Sequence, residues 1–524
     1  MRNAHRVADV RVAEHALMSA LPAGTLMQRA AFALATACGG LLPGVYGSRL
    51  VVLAGSGDNG GDALHAGAVL ARRGAAVTVI AAGARVHAGG LTALLRAGGR
   101  VIAAAGSAAR TATDSNAASP DANGSADTAI SSAARDAIGA ADLIIDGLLG
   151  IGGHGGLREP AAALAALAER SAALVVAADL PSGIDADTGE VAGAAVRADV
   201  TITFGTWKPG LLVDPGASHA GVTELIDIGL GPFLTRPDVM APQAADVAGW
   251  LPRPTAESDK YRRGVLGVLA GSEQFTGAAV LSVGGAVRGG AGMVRLVSAA
   301  PAAAVVRQYW PEAVITLVGA GDLAGRSASE VIEAAGRVQA WAAGPGLGTD
   351  EGAADLLAAV LSTDAPVLVD ADGISILAAR RYLLKRDAPT LLTPHAGELA
   401  RLLGAQRADI EARRLEFVRR AAAELGATVL LKGSTTVIAA PSDREPVLAN
   451  PTGTPWLATA GSGDVLSGLA GSLLAQGLDP LRAAAAAAYL HGVAARLAAE
   501  GAPIGAADLI RSLSPALRTV AGRD

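Results

Sequence analysis

The chain has a single cysteine, Cys38, among 524 residues. An intramolecular disulfide framework is excluded, and no partner cysteines exist for a thiolate zinc site. Cys38 reads instead as a small apolar residue near a helix end. Aromatic residues are also scarce, at 3% of a chain that is 51% hydrophobic. The cores must therefore be built from Ala, Val and Leu, small side chains that suit helices packed closely on a sheet. No long basic run exists, and 43 basic residues against 48 acidic ones leave a formal charge of −5. Electrostatic capture of nucleic acid is disfavoured on that ground. A strongly apolar run of about 20 residues is missing too; even the Ala-rich stretch Ala483–Ala498 holds His491 and Arg496. The opening MRNAHRVADVRVAEHALMSALP is broken by Arg, Asp, Glu and His, so it has no secretory apolar core. A soluble, cytoplasmic protein without membrane contact is the expectation.

What is present is a pattern of short Val/Leu/Ile strands alternating with Ala/Leu helices, the mark of parallel α/β domains. The length asks for two of them. In the first half, Arg49–Gly55, Ala75–Ala82, Asp142–Gly147, Ala173–Pro181 and Asp199–Gly205 read as strands. Between the second and third of these, residues 105–137 are rich in Ser, Ala, Asp and Asn, with almost no large apolar side chain. Such a stretch cannot offset its ordering entropy, which predicts a mobile insertion. The stretch Gly231–Gly264 carries five prolines and no clear periodicity, and marks the domain boundary. The division expected is residues 1–235 and 245–524.

The pentapeptide AGSGD occurs twice, at Ala54–Asp58 and Ala460–Asp464, but in flanking sequences that do not match. It is no internal repeat. In the first copy Gly55, Gly57 and Gly60 fit the dinucleotide fingerprint G-x-G-x-x-G. The following strand, VTVIAAGAR, has no acidic residue for the ribose hydroxyls, which disfavours an ordinary nicotinamide dehydrogenase. The unusual part is DNGGD, Asp58–Asp62, two carboxylates and a carboxamide around a glycine pair. Glycines let backbone N–H groups approach a phosphate at a helix N-terminus. Asp58 and Asp62 would repel that anion unless something offsets them, and an oxygen-seeking cation is one solution. A tight turn capped by Asp and Asn accounts for the same residues. Further on, DGLLGIGGHGGLREP puts Asp146 at a strand end before the glycine loop Gly150–Gly156, and DLPSGIDADTGEV puts Asp179 and Ser182 at the end of the next strand. In a parallel sheet these carboxyl ends share one edge, so three loops can converge on one ligand.

This set, running from TLMQRAAFALA through GSGDNGGD, DGLLGIGG and DLPSGIDADTG to FGTWKPGLL (Thr25 to Leu212), resembles the NAD(P)H-hydrate epimerases. The resemblance implies a Rossmann-like, three-layer α/β/α N-terminal domain. It also implies that Asp58, Asn59, Gly60, Gly61 and Asp62 line the hydrate site. Opposite them would stand the loop Gly150, Ile151, Gly152, Gly153, His154, Gly155 and Gly156. Asn59, Asp146 and Ser182 would hold a potassium ion, and Asp179 would contact the substrate with a catalytic role. Two departures stand out: Asp58 where the family has Asn, and Ala63 where it has Gly.

The second AGSGD lies directly before an amphipathic helix, with Asp464 in the first turn. Backbone N–H groups from Gly461 to Gly463, with the helix dipole, would cradle a transferring phosphoryl group. Asp464 stands where a substrate hydroxyl must lose its proton; it would serve equally as a helix cap. Its neighbours favour the site. LKGSTTVIAA ends a strand with Lys432, Gly433, Ser434, Thr435 and Thr436, and TPHAGELARLLG puts His395 and Glu398 at a strand-to-helix junction. With AGPGLGTDEG and the stretch Lys260–Val294, they resemble the ribokinase-like ADP/ATP-dependent NAD(P)H-hydrate dehydratases over nearly all of the second half. That resemblance implies a ribokinase-like C-terminal α/β domain. Lys432–Thr436 and Gly463 would bind the nucleotide, with magnesium on its phosphates. Ala278, Gly346, His395 and the catalytic Asp464 would face the hydrate. Here the departures are Trp456 for Gly and Ser462 for Thr.

Together the resemblances imply one chain with two repair activities on nicotinamide hydrates (NADHX and NADPHX), an epimerase and an ADP-dependent dehydratase. Two other readings stay open. The second domain could phosphorylate a sugar or vitamin precursor, and the first could be a non-catalytic nucleotide-binding or docking module. Self-association is also open at this level.

Overall fold

The computed structural model describes residues 1–83, 85–105, 130–319, 321 and 324–522. The chain divides into two compact units, Asn3–Asp238, and Val239–Asp524 with Met1–Arg2. Both are α/β units built on largely parallel sheets.

After a short opening strand, β1 (Arg2–Ala4), the first unit forms β2 (Arg49–Ala54), β3 (Ala76–Ala81), β4 (Arg100–Ala103), β5 (Leu143–Gly147), β6 (Leu174–Ala178), β7 (Val200–Phe204) and β8 (Val222–Ile226). Their order is β4-β3-β2-β5-β6-β7-β8, and every pairing is parallel. The period of two along β2 sorts its side chains. Leu50, Val52 and Ala54 join the core made with helices Thr25–Leu41 and Asp58–Arg72, while Val51 and Leu53 join that made with Ser132–Gly139 and Ala161–Arg170. With helices on both faces this is the three-layer Rossmann-like arrangement. The chain runs outward from β2 to β4, then crosses back to β5. That reversal opens a crevice at the carboxyl ends of β2 and β5, the usual place for a ligand in such sheets. Cys38 is fully buried in this core, and burial pushes its thiol up to about 12.

Sequence reasoning passed over β4 and β8. Both are edge strands, and the exposed residues of VTELI leave β8 without a buried apolar run. The end of the stretch expected to be mobile, residues 105–137, holds regular structure. Residues 132–139 are helical, capped by Ser131 Oγ accepting from Ala134 N at 3.2 Å, with Ala134 and Ile138 buried. Residues 106–129 of that stretch lie outside the described residues.

The second unit contains β9 (Val239–Ala241), β10 (Val265–Leu269), β11 (Met293–Ser298), β12 (Val314–Leu317), β13 (Ala340–Ala343), β14 (Val367–Val369), β15 (Thr390–Leu392), β16 (Thr428–Leu431), β17 (Thr436–Ala439) and β18 (Val447–Asn450). They lie in the order β9-β18-β17-β16-β15-β14-β13-β10-β11-β12, and only β17 runs antiparallel to its neighbours. Here the order reverses between β10 and β13. Helix Ser462–Ala475 lies against helix Thr276–Arg288 over a seam of small residues. A Cβ on Gly468 would overlap the Ser282 carbonyl, and one on Gly285 the Val465 carbonyl. Gly468→Ala should therefore destabilise this unit by about 1–3 kcal/mol or more, since overpacking forces two helix backbones apart. On heating, the second unit of the variant should unfold at a lower temperature than that of the parent chain; an unchanged unfolding temperature would contradict the seam.

Candidate active sites

In the first unit, the loop after β2 and the loop after β5 are pressed together. Gly55 N donates to Gly147 O at 3.0 Å, and a Cβ on Gly55 would collide with the Leu148 carbonyl. Glycine is required there by space alone. Helix Asp58–Arg72 starts from this junction, with Asp58 exposed and Asn59, Gly60 and Gly61 buried. Gly150 abuts Asn59: an added Cβ would stand 2.9 Å from the Asn59 Cβ. Gly155 and Gly156 take φ values of 81° and 74°, which side-chain-bearing residues rarely adopt. His154 lies on the exposed part of this loop and pairs with Asp185 at 2.9 Å. The structure thus brings the Asn59, Asp146, Gly150 and Ser182 segments together, and leaves His154 on the rim.

Asp146 is fully buried at the end of β5. Its Oδ1 accepts from Ser182 Oγ at 2.7 Å and Leu148 N at 3.2 Å, and its Oδ2 accepts from Ser182 N at 2.8 Å. Burial outweighs those bonds and pushes the carboxyl up to about 6. Asn59 Nδ2 donates to Leu149 O at 2.8 Å, and Ser182 Oγ lies 3.0 Å from the same carbonyl. Asn59 Oδ1 is buried with no hydrogen-bond partner among the described residues. A buried acceptor left unmatched costs about 1–3 kcal/mol, and a cation would relieve it. The donor set is all oxygen, with one carboxylate, which suits a hard cation of low charge.

Asp179 follows β6 and takes φ 63°, a strained value for a residue with a side chain. Its Oδ1 accepts from Lys208 Nζ, Thr203 Oγ1 at 3.1 Å and Phe204 N at 3.2 Å. Lys208 is 1% exposed, and Nζ also donates to Thr203 Oγ1 at 3.1 Å and Phe204 O at 3.0 Å. Two further acids share this field. Burial, then the charges of Asp179, Asp58 and Glu14, hold Asp62 well above the ordinary carboxylate range. Asp62 Oδ1 also has no hydrogen-bond partner among the described residues. Glu14 is raised by burial as well, against the pull of Lys208. The cluster therefore combines one buried ammonium with two acids held above the ordinary carboxylate range, an arrangement able to hold and move a proton.

In the second unit Gly461, with φ 84°, caps helix Ser462–Ala475. Gly463 and Asp464 occupy its first turn, where backbone N–H groups have no partner earlier in the helix. Burial, and next the charge of Asp370, push the Asp464 carboxyl up to about 7, against the pull of Lys432. Lys432 follows β16; its Nζ lies 2.8 Å from Asp370 Oδ1 and 3.9 Å from Glu398 Oε2. Burial lowers this ammonium, but Asp370, Glu398 and Asp464 more than offset it and hold it raised. The Lys432–Thr436 hairpin exposes Gly433 and Ser434, keeps Thr435 buried and starts β17 at Thr436. His395 caps helix Ala396–Leu403, its Nδ1 accepting from Gly397 N at 3.0 Å and Glu398 N at 3.2 Å. Burial and then Lys432 lower it, so it is neutral near pH 7. Gly346 and Ala278 meet where the sheet order reverses: a Cβ on Gly346, φ 57°, would stand 2.7 Å from that of Ala278. Trp456, in the short turn Pro455–Leu457, is 39% exposed, and Ser462 Oγ donates to Leu457 O at 2.9 Å.

Sequence reasoning missed Lys208, Glu14, Asp370 and Ser467 as site residues. One signal was available. The chain has four lysines in all, and Lys208 and Lys432 each pair with an aspartate at a strand end.

Two α/β units, each with acids and glycine loops at the carboxyl ends of a largely parallel sheet, are the architecture of an enzyme with two candidate sites. Comparison with known proteins gives the family. A model described as YjeF-related protein N-terminus matches residues 23–210, and one described as NAD(P)H-hydrate dehydratase matches residues 266–516. The bifunctional NAD(P)H-hydrate repair enzyme Nnr of Mycobacterium tuberculosis is 46% identical over 491 residues, 93% of this chain and 92% of that protein. Its counterpart from Mycobacterium leprae is 46% identical over 505 residues, 95% of this chain and 94% of that one. Among solved structures, the ADP/ATP-dependent NAD(P)H-hydrate dehydratase of Bacillus subtilis, co-crystallised with ATP and Mg2+, is 33% identical and covers 53% of this chain and 97% of its own, with a TM-score of 0.48. The chain belongs to the family of bifunctional NAD(P)H-hydrate repair enzymes. No helix among the described residues is long and apolar enough to cross a membrane.

Proposed function

We propose that the two units act in sequence on one damaged cofactor. The first interconverts the R and S hydrates of NADH and NADPH at C6, and the second dehydrates the S form at the expense of ADP. The observation that carries the second half is the place of Asp464: a largely buried carboxyl in the first turn of a helix whose N–H groups suit a phosphoryl group, pushed up to about 7 by burial and Asp370, with Lys432 in its field. Asp464 takes the proton of the C6 hydroxyl, and that oxygen forms a bond to the terminal phosphorus of the nucleotide as the bond to AMP breaks. The C6–O bond then breaks, driven by the ring nitrogen lone pair, and phosphate leaves. Loss of a C5 proton restores the dihydropyridine. Gly463 and the hairpin Lys432–Thr436 hold the nucleotide, while Ala278, Gly346 and His395 face the hydrate. Magnesium comes with the nucleotide phosphates.

In the first unit, Asp58–Asp62 and Gly150–Gly156 frame the hydrate, and Asp179 with its Lys208 partner faces the reacting ring. Asn59, Asp146 and Ser182 would hold potassium, which when bound supplies a positive field for this acidic pocket. A readout independent of activity tests that ion. Potassium chloride should raise the unfolding temperature of the full chain above that in tetramethylammonium chloride of equal ionic strength. Asp146→Asn should remove the difference; an equal response in both salts would count against the ion.

The whole reading is tested by incubating the protein with a mixture of R and S hydrated NADH and ADP and following the dihydronicotinamide absorbance. Complete conversion of both epimers to NADH, with AMP and phosphate released in step, is the expected result. A stable phosphorylated small molecule from another acceptor, with no recovered NADH, would make the second unit a kinase instead.

A further inference from the structure

Beneath the second anion-binding turn lies an acid that no glycine motif marks. Asp370 follows β14 and is 1% exposed. Its oxygens face different elements: Oδ1 accepts from Lys432 Nζ at 2.8 Å, and Oδ2 from Ser467 Oγ at 2.5 Å. Ser467 sits one turn beyond Gly463, and its Oγ is 3.0 Å from the Gly463 carbonyl. A Cβ added to Gly463 would stand 3.4 Å from Lys432 Nζ and 3.8 Å from Asp370 Oδ2. One carboxylate therefore ties the end of β16 to Ser467 in the second turn of helix Ser462–Ala475, and Ser467 in turn holds the carbonyl of Gly463 in the first turn. The backbone is bent where it does so. Ala371 takes φ 51° without being glycine, and Gly344 lies so close that a Cβ there would overlap the Asp370 carbonyl. Strain of that kind is tolerated where the surroundings fix a functional group.

We infer that Asp370 is a positioning residue for dehydration: it fixes the Lys432 ammonium beneath the Gly463 turn, where the phosphoryl group and Asp464 meet. The inference rests on the dehydratase reading above. The charged and titratable groups around Asp464 are Asp370, Asp372 and Lys432; Glu398 and His395 lie against Lys432, and His491 meets the turn from helix Pro480–Ala499. His491 Nε2 lies 3.0 Å from the Ser462 carbonyl, and burial drives the ring down to about 4, so it is a neutral donor there. Among these groups Asp370 raises Asp464 more than Lys432 lowers it. Losing the Asp370 charge should therefore make Asp464 a stronger acid and at the same time loosen the ammonium.

The test uses the full chain, hydrated NADPH and ADP, with Asp370→Asn and Asp370→Glu. Wild-type turnover comes first; if it is absent, the dehydratase reading fails and not this inference. For Asp370→Asn the expected results are a fall in kcat of about tenfold or more and a higher KM for ADP. The acid limb of the rate profile should also move down by about one pH unit. Asp370→Glu keeps the charge, so its limb should return towards wild type while its rate stays low. Should Asp370→Asn fail to fold, Asp370→Asn with Lys432→Met removes both buried partners, and its limb should still lie below wild type. An acid limb that stays in place in the folded variant, whatever happens to the rate, assigns Asp370 a merely structural role and overturns the inference.

Discussion

Replacing Asp464 with Asn should abolish dehydration and leave epimerisation untouched. A positioned base contributes typically ~10²–10⁴-fold, and Asn retains the shape while losing the proton acceptor. The two activities rest on separate cores, so the change should not reach the first unit. The wild-type profile should share the same origin. With the carboxyl at about 7, the dehydration rate should fall about tenfold per unit below that pH. The stability effect has the opposite sense. A carboxyl raised in the folded state binds its proton more tightly there than in the unfolded chain, whose value is near 3.8. Its contribution to stability is full at low pH and is lost as pH rises towards 7. Asp464→Asn should therefore unfold no earlier than wild type at pH 5, and later than wild type at pH 8. An inactive variant that is also more stable at pH 8 cannot owe its inactivity to unfolding. Retained dehydration, or loss of both activities together, would remove Asp464 from its role.

The glycine loops were legible in the sequence because their constraint is local. Gly55, Gly461 and Gly346 each answer to a close approach or a positive φ that a turn imposes, and the acids beside them stand at strand ends that a parallel sheet brings to one edge. Asp464, Asn59 and Asp146 are candidates on that ground. Asp370 is not. It ends the apolar run PVLVD, which any buried strand might show, and only pairing with Lys432, brought alongside by the sheet, reveals its use. Glu14 and Lys208 enter the first pocket from opposite ends of their unit, and no spacing rule links them to Asp179. The two strained residues, Asp179 and Ala371, belong to the same class of surprise. Propensity disfavours them, and the surrounding structure overrides propensity where a carboxylate has to be aimed.

Lys208→Met should eliminate epimerisation and weaken the first unit. The pair it breaks joins a buried Lys208 to a largely buried Asp179, with side-chain exposures of 1% and 13%. Removing one partner of such a pair leaves a charge without compensation and costs about 3–5 kcal/mol. The loss falls where it matters chemically, because Lys208 is the ammonium facing Asp179, and Glu14 is held raised against its pull. In a urea series, epimerisation should fail well before dehydration, whereas in the parent chain Lys208 keeps the first unit intact to higher denaturant. Adding Asp179→Asn to Lys208→Met removes the orphaned charge, so stability should return while epimerisation stays absent. That pairing separates the two roles of the ion pair. If the double variant regained epimerisation along with its stability, Asp179 and Lys208 would be scaffold only, and the proton would have to pass through Asp62 and Glu14 alone.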